Sequence, residues 1–176
     1  LMKTPILETE RLILRPLTVA DAETIYTNWT SDPNVAKYMI WDLHENVDVT
    51  RAWLVGEEAS LLADDAYGWG FVLKENGMLM GSGGLLYVES IDCFSLGYNI
   101  MQRYWNRGLT TEAGAEMLRF ATQTLGLRKF ECRHAAENIG SMRVMTKLGF
   151  KFWRDGTYDS FSGKKHFASK EYLLEL

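Results

Sequence analysis

Tyr104-Trp105-Asn106-Arg107-Gly108-Leu109-Thr110-Thr111-Glu112-Ala113 and Asn138-Ile139-Gly140-Ser141, the second running on to Lys147-Leu148-Gly149-Phe150, are the stretches whose reading decides the fold. In each, a strand hands over to a helix. The first four N–H groups of a helix have no intrahelical partner and carry the positive end of its dipole. Such a start holds phosphate, gaining roughly 0.3–1 kcal/mol from the dipole when exposed and up to about 2 when partly buried. Gly108 lets a phosphate oxygen approach the backbone, and Arg103 and Arg107 add positive charge. Asn138 and Ser141 stand three residues apart, on one face of a helical turn. Taken singly, the first stretch also reads as an ordinary helix start, and Asn138 as a simple N-cap.

Working outward, Arg11–Arg15 alternates as a strand with Leu12 and Leu14 on one face, ended by Pro16. Thr18–Trp29 reads as a helix capped by Thr18, Asp32-Pro33 opens another, and Asn46–Leu62 has a longer helical pattern. Gly70–Lys74 and Met78–Val88 form a hairpin around Asn76-Gly77. Asp92–Met101 is a strand with Phe94, Leu96, Tyr98 and Ile100 on one face and Ser95, Gly97 and Asn99 on the other. Thr110–Thr124 is a helix with Ala113, Met117, Phe120 and Ala121 as its apolar stripe. Lys129–His134 is a strand, Asn138–Leu148 a helix closed by Gly149, and two strands follow near Phe150–Tyr158 and Lys165–Leu174. The order predicts an α/β fold over residues 1–176 as one domain: a mostly antiparallel mixed sheet with helices on both faces.

The composition is globular, with 47% hydrophobic residues and a formal charge of −4. That charge argues against a general nucleic-acid binder. Cys93 and Cys132 have no metal-ligand spacing, no zinc-protease or Ser-His-Asp pattern occurs, and no metal is expected. His134, on a strand beside Phe130 and Cys132, reads as a structural histidine. No apolar run is long enough to cross a bilayer, and the N-terminal residues lack the pattern of a signal peptide. A cytoplasmic location is expected, and Leu1 ahead of Met2 reads as a cloning remnant. Gly81-Ser82-Gly83-Gly84 imitates a phosphate loop, but no helix follows it, so it reads as a bulge or close backbone approach within a strand.

Three segments together resemble the GNAT superfamily of N-acetyltransferases, in its branch of ribosomal-protein N-terminal acetyltransferases (RimJ/RimL-like). They are Leu7–Pro16, Leu96-Gly97-Tyr98 through Ala113, and Asn138-x-x-Ser141 through Phe150. The resemblance covers nearly the whole chain. It implies acetyl-CoA as co-substrate and a splayed strand pair, ending near Met101 and His134, with pantetheine between. Backbone groups of Ile100 and Met101 would pair with pantetheine amides. The amides of Asn106, Arg107, Gly108, Leu109, Thr110 and Thr111 would bind pyrophosphate. Asn138 would hold the pantetheine arm, Ser141 would stand near the sulfur, and Arg143 and Lys147 would reach the nucleotide phosphate. Asn106 and Thr110 depart from the small residues usual in relatives.

Ser95 stands where relatives often carry a glutamate base. Glu89 and Asp92, just upstream, are the candidate replacements. A missing base favours an acceptor that is partly neutral already, such as a protein or peptide α-amine. The alternatives are a small-molecule amine (antibiotic, polyamine or amino acid) or a catalytically idle acyl-CoA-binding module. Tyr38, Trp41, Tyr87 and Phe161 are candidate acceptor-pocket walls. The resemblance implies a monomer or homodimer, with no nucleic-acid or membrane partner.

Overall fold

The structure, a computed structural model, describes residues 3–176; Leu1 and Met2 lie outside the described residues. Eight strands form one sheet in the order β1-β2-β3-β4-β5-β6-β8-β7. They are β1 (Leu7–Glu8), β2 (Leu12–Arg15), β3 (Ala66–Leu73), β4 (Leu79–Val88), β5 (Cys93–Ile100), β6 (Lys129–Ala135), β7 (Lys151–Asp159) and β8 (His166–Glu175). The helices are α1 (Ala22–Ile25), α2 (Pro33–Ala36), α3 (Val47–Ser60), α4 (Leu109–Gln123) and α5 (Ile139–Lys147). Every neighbouring pair is antiparallel except β5 and β6.

Period-2 alternation sorts the strand side chains onto two cores. One face buries Leu12, Leu14, Phe71, Met80 and Leu96 against the α4 stripe of Ala113, Met117, Phe120 and Ala121. On the other, Leu79 joins Leu17, Ile25, Trp29, Val35 and Leu54 from the helical segments. Helices therefore cover both faces, as the pattern predicts. The expected Thr18–Trp29 helix is broken into a 3₁₀ turn at Val19–Asp21, α1, and a π-turn at Tyr26–Thr30. The wide turn brings Trp29 and Thr30 into the core, where both are buried.

The Gly81–Gly84 run lies in β4, with no phosphate loop. Phe71 faces Gly81 while Val72 faces Leu79, leaving Met80 as an extra, bulged residue. Neighbouring backbones press close: a Cβ on Gly81 would lie 2.3 Å from Asn99 O, and one on Gly84 2.2 Å from Tyr67 O.

The feature that positions the site is the seam between β5 and β6. These parallel strands pair at only two positions, Phe94↔Phe130 and Ser95↔Glu131, and then part. The Cys132 thiol donating to Leu96 O at 3.2 Å spans the start of the opening. This is the splayed pair the resemblance implies.

Gly84→Ala is expected to lower unfolding free energy by about 1–3 kcal/mol, because the added methyl has no room against Tyr67 O. Urea denaturation checks this; a variant as stable as the parent would show that the strands can shift to admit it.

Candidate active site

A cleft of about 640 Å³ runs along the opening between β5 and β6, from the start of α4 to the start of α5. Ile100, Asn106, Arg107, Gly108, Leu109, Thr110, Thr111, Asn138, Ser141, Arg143 and Lys147 all line it. The loop before α4 has left-handed backbone at Asn106 (φ 61°) and at Gly108 (φ 75°). Alternating hand in successive residues turns backbone N–H groups to one concave side, the geometry that cradles an anion. Asparagine tolerates this backbone better than most residues, so its departure from glycine leaves the loop intact.

A buttress holds the loop. Glu112, in the first turn of α4, accepts from the Thr9 hydroxyl (2.5 Å), the Arg11 backbone N–H (2.9 Å) and the Arg11 Nε (2.8 Å). The same guanidinium donates to Arg107 O at 3.0 Å, bridging the loop to the turn before β2. Burial pushes the Glu112 pKa up, but the Thr9 and Arg11 hydrogen bonds and the Arg11 charge outweigh it, and the net shift is downward.

Three expected residues stand elsewhere. Met101 commits its N–H to Met80 O (2.8 Å) and its carbonyl to Tyr104 N (3.0 Å), so it has no backbone group facing the opening. Alternation turns the backbone of Ile100 there instead, where its carbonyl accepts from the Trp105 indole at 3.0 Å. Glu89 lies in a 3₁₀ turn at the β4–β5 tip and Asp92 accepts from the Tyr87 hydroxyl at 2.5 Å. Neither lines this cleft or the second one described below. Asp92 precedes Tyr98 by six strand residues, on the order of 20 Å along β5, too far to reach the junction described next.

A second cleft, about 450 Å³, opens on the opposite face of the sheet and shares Tyr38, Met39, Tyr98, Asn99, Asn138 and Ser141 with the first. The two meet where β5 and β6 part. At the junction the Tyr98 and Ser141 hydroxyls are 2.9 Å apart, and Tyr98 also lies 3.3 Å from Ser141 O. Burial, with smaller contributions from Cys132, holds the Tyr98 phenol well above its ordinary pKa, so it keeps its proton. Asn138 caps α5 by accepting from Ser141 N at 3.3 Å and also lines both clefts. Its capping role and its place in the site therefore coincide. His134 is buried, with Nδ1 2.6 Å from Ala135 O and Nε2 3.3 Å from the Tyr172 hydroxyl, and it also lines the second cleft.

Of the expected pocket walls, Tyr38 and Trp41 line the second cleft, while Tyr87 and Phe161 do not. The wall segment is fixed from the C-terminal hairpin. Lys165 Nζ donates to Ala36, Met39 and Trp41 carbonyls at 2.9, 3.0 and 3.1 Å, and the Tyr158 hydroxyl to Tyr38 O at 2.6 Å.

One carboxylate was missed by sequence reasoning. Glu131 is fully buried on β6, directly in register with Ser95, and neither of its oxygens completes a hydrogen bond. Arg133 Nε approaches its Oε1 at 3.4 Å. Burial raises its pKa; the nearby Ser95 hydroxyl and the Arg133 charge oppose the rise without cancelling it. Ser95 itself lines the second cleft. Glu131 itself lines neither cleft and stands behind Ser95, a cross-strand relation that becomes visible only with the register. Among the described residues no group of three or more His, Cys, Asp or Glu could hold a metal ion. No helix there is long and apolar enough to cross a membrane.

Glu112→Gln should lower stability at neutral pH by about 1–3 kcal/mol, since it removes a carboxylate with three donors. The folded-state pKa of Glu112 is depressed, so its contribution is full above the unfolded value near 4.5 and fades as pH falls through the lower folded value. Denaturation from pH 7 to pH 3 checks this: the gap between parent and variant should narrow on acidification, and a constant gap would contradict it.

A family profile described as "Acetyltransferase (GNAT) domain" matches residues 11–151. The chain is 27% identical over 171 residues to "Uncharacterized N-acetyltransferase p20" of Bacillus licheniformis, covering 97% of this chain and 94% of that one. In structure it is similar to a GNAT-family acetyltransferase from Bacillus anthracis, with TM-score 0.81, 20% identity and coverage of 97% and 98%. It is likewise similar to RimL, a ribosomal L7/L12 α-N-protein acetyltransferase in complex with coenzyme A. There the TM-score is 0.84, the identity 13% and the coverage 98% of each chain. At these identities the two structures speak for the fold, while the profile spans the loop before α4, the parted strands and α5. The chain belongs to the GNAT acetyltransferase family and is an N-acetyltransferase, one of the acyltransferases.

Proposed function

We propose that this protein moves the acetyl group of acetyl-CoA onto the N-terminal α-amine of a protein or peptide. The observation that carries this reading is the meeting of two clefts, one from each face of the sheet, at Tyr98 and Ser141. The coenzyme A complex of the similar L7/L12 acetyltransferase supports the donor and the class of acceptor. The first cleft fits such a donor: a concave run of N–H groups at one end, a strand edge facing an opening, and a hydroxyl at the other end. When bound, acetyl-CoA supplies a thioester with an electrophilic carbonyl carbon and a sulfur that leaves as thiolate.

The residues divide the work. Backbone amides of Asn106–Thr111 hold the pyrophosphate, with Arg143 and Lys147 toward the nucleotide phosphate. Ile100 and Asn138 hold the pantetheine arm. Tyr98 donates to Ser141 Oγ, leaving the Ser141 proton free to hydrogen-bond the sulfur. A thiol has a pKa near 8.5, so a hydrogen bond suffices where a strong acid is unnecessary. The amine enters from the second cleft and forms its bond to the acetyl carbon as the carbon–sulfur bond breaks. Ser95 lies three strand residues, on the order of 10 Å, before Tyr98, so the amine's proton reaches Glu131 by way of water in the second cleft and the Ser95 hydroxyl.

Amine acidity favours the α-amine. With a pKa of about 7.7–8.0 it is on the order of 10–20% neutral at pH 7, while a lysine side chain is well under 0.1% neutral. That difference is worth more than two factors of ten in reactive amine, about 3 kcal/mol. We place the reaction in the cytoplasm, with the protein as monomer or homodimer; two buried free thiols, Cys93 and Cys132, suit a reducing compartment.

Acetyl-CoA should raise the melting temperature, and N-terminal peptides should release free thiol faster than lysine analogues or polyamines. Thiol release with small amines alone would move the acceptor to that class, and stabilisation without turnover would leave a binding module. Ser141→Ala should lower kcat by about tenfold or more with acetyl-CoA affinity nearly unchanged; undiminished turnover would remove Ser141 from the chemistry. A base must be deprotonated, so kcat/KM should rise as pH climbs through a raised Glu131 pKa. Glu131→Gln should lower the rate and erase that acid limb, and an unchanged pH profile would exclude Glu131.

A further inference from the structure

Gly68, Gly84 and Gly97 stand abreast across β3, β4 and β5, in register, and all three line the second cleft. Backbone packing accounts for Gly84, while at Gly68 the neighbour is the end of a flexible side chain. A Cβ on Gly84 would collide with Tyr67 O, and one on Gly68 would lie 3.0 Å from Glu57 Oε2. At Gly97 a Cβ would meet nothing within 4 Å, and the backbone is not left-handed. Nothing inside the protein requires glycine there, although glycine in a strand costs roughly 0.5–1 kcal/mol relative to alanine. Its effect is to leave the β5 backbone bare toward the cleft, where another chain can approach closely.

Asn99 lies two residues further along the same face of β5 and lines both clefts. Among the described residues its side chain makes no hydrogen bond, and Nδ2 is buried without a partner. A buried donor left open is a costly group, and a turn of the Asn99 amide into the clefts the residue lines would bring it to an acceptor that arrives from outside. It stands one residue from Tyr98, at the junction where the amine reacts. A carbonyl oxygen borne by the carbon next to that amine suits this position.

We infer that Gly97 and Asn99 select an α-amino-acyl chain: the bare strand at Gly97 seats its backbone, and the Asn99 amide donates to its first carbonyl. Alkylamines and polyamines have no such carbonyl. The inference rests on the acetyl-transfer reading above and names the residues that recognise the acceptor.

The test compares a short peptide amide with its reduced isostere, in which the first carbonyl is CH₂, on the parent, Asn99→Leu and Gly97→Val. Asn99→Leu should cut kcat/KM about tenfold for the peptide and under about threefold for the isostere, the loss expected for one hydrogen bond. Asn99→Ala serves the same purpose if leucine disturbs the strand. Gly97→Val should fold at least as stably as the parent and bind acetyl-CoA equally, yet raise the peptide KM about tenfold or more, because its side chain fills the seat. Equal losses on both acceptors for Asn99→Leu, or an unchanged peptide KM for Gly97→Val, would overturn the inference while leaving acetyl transfer intact. Failure of acetyl-CoA to bind the parent protein would remove the underlying reading as well.

Discussion

The backbones of β5 and β6 pair at only two positions, and the site is arranged around the early end of that seam. Had the parallel ladder continued, the backbone groups of β5 beyond Leu96 would have been consumed by β6. Because it stops, Ile100 is left facing an opening, and α5 can bring Ser141 to within 2.9 Å of Tyr98 across it. The opening also breaches the sheet, the barrier that otherwise separates the two faces. A sheet with helices on both sides normally keeps those faces apart; here two clefts share residues through it.

Holding a sheet open has to be offset elsewhere. On the α4 side, Glu112 gathers Thr9 and Arg11, and Arg11 in turn holds Arg107 O, so the left-handed loop at Asn106 and Gly108 is fixed by a strand distant in sequence. On the opposite side, the bulge at Met80 and the Met101 N–H to Met80 O bond tie the end of β5 to β4. β5 is thus anchored along one edge and free along the other. The burial of Glu131 without hydrogen-bond partners follows from the same geometry, since it lies at the last paired position before the strands part.

The legible part of the sequence was local. Gly77 and Gly149 have the left-handed backbone that turn and cap chemistry predicts, and the stripe on α4 meets the core as periodicity says. The cofactor-loop residues came out together because they are contiguous along the chain. The buried carboxylate of Glu131 did not, because Ser95 and Glu131 are adjacent only through strand register, which no local pattern encodes. Asp92 looked plausible by sequence distance, yet a strand is extended, and a few residues carried it well away from the junction. The π-turn at Tyr26–Thr30 escaped for a related reason: its local pattern was helical, and the tertiary demand to bury Trp29 widened it.

Lys165 holds the carbonyls of Ala36, Met39 and Trp41 across as many as 129 residues of chain. During synthesis, which proceeds from the N-terminus at roughly 5–20 residues per second, the loop before α4 and its Glu112 buttress are complete well before residue 165 emerges. The last residue lining the first cleft, Lys147, therefore emerges roughly 1–4 seconds before Lys165 can lock the wall of the second. The order of manufacture makes the wall of the second cleft the last of these pieces to be fixed.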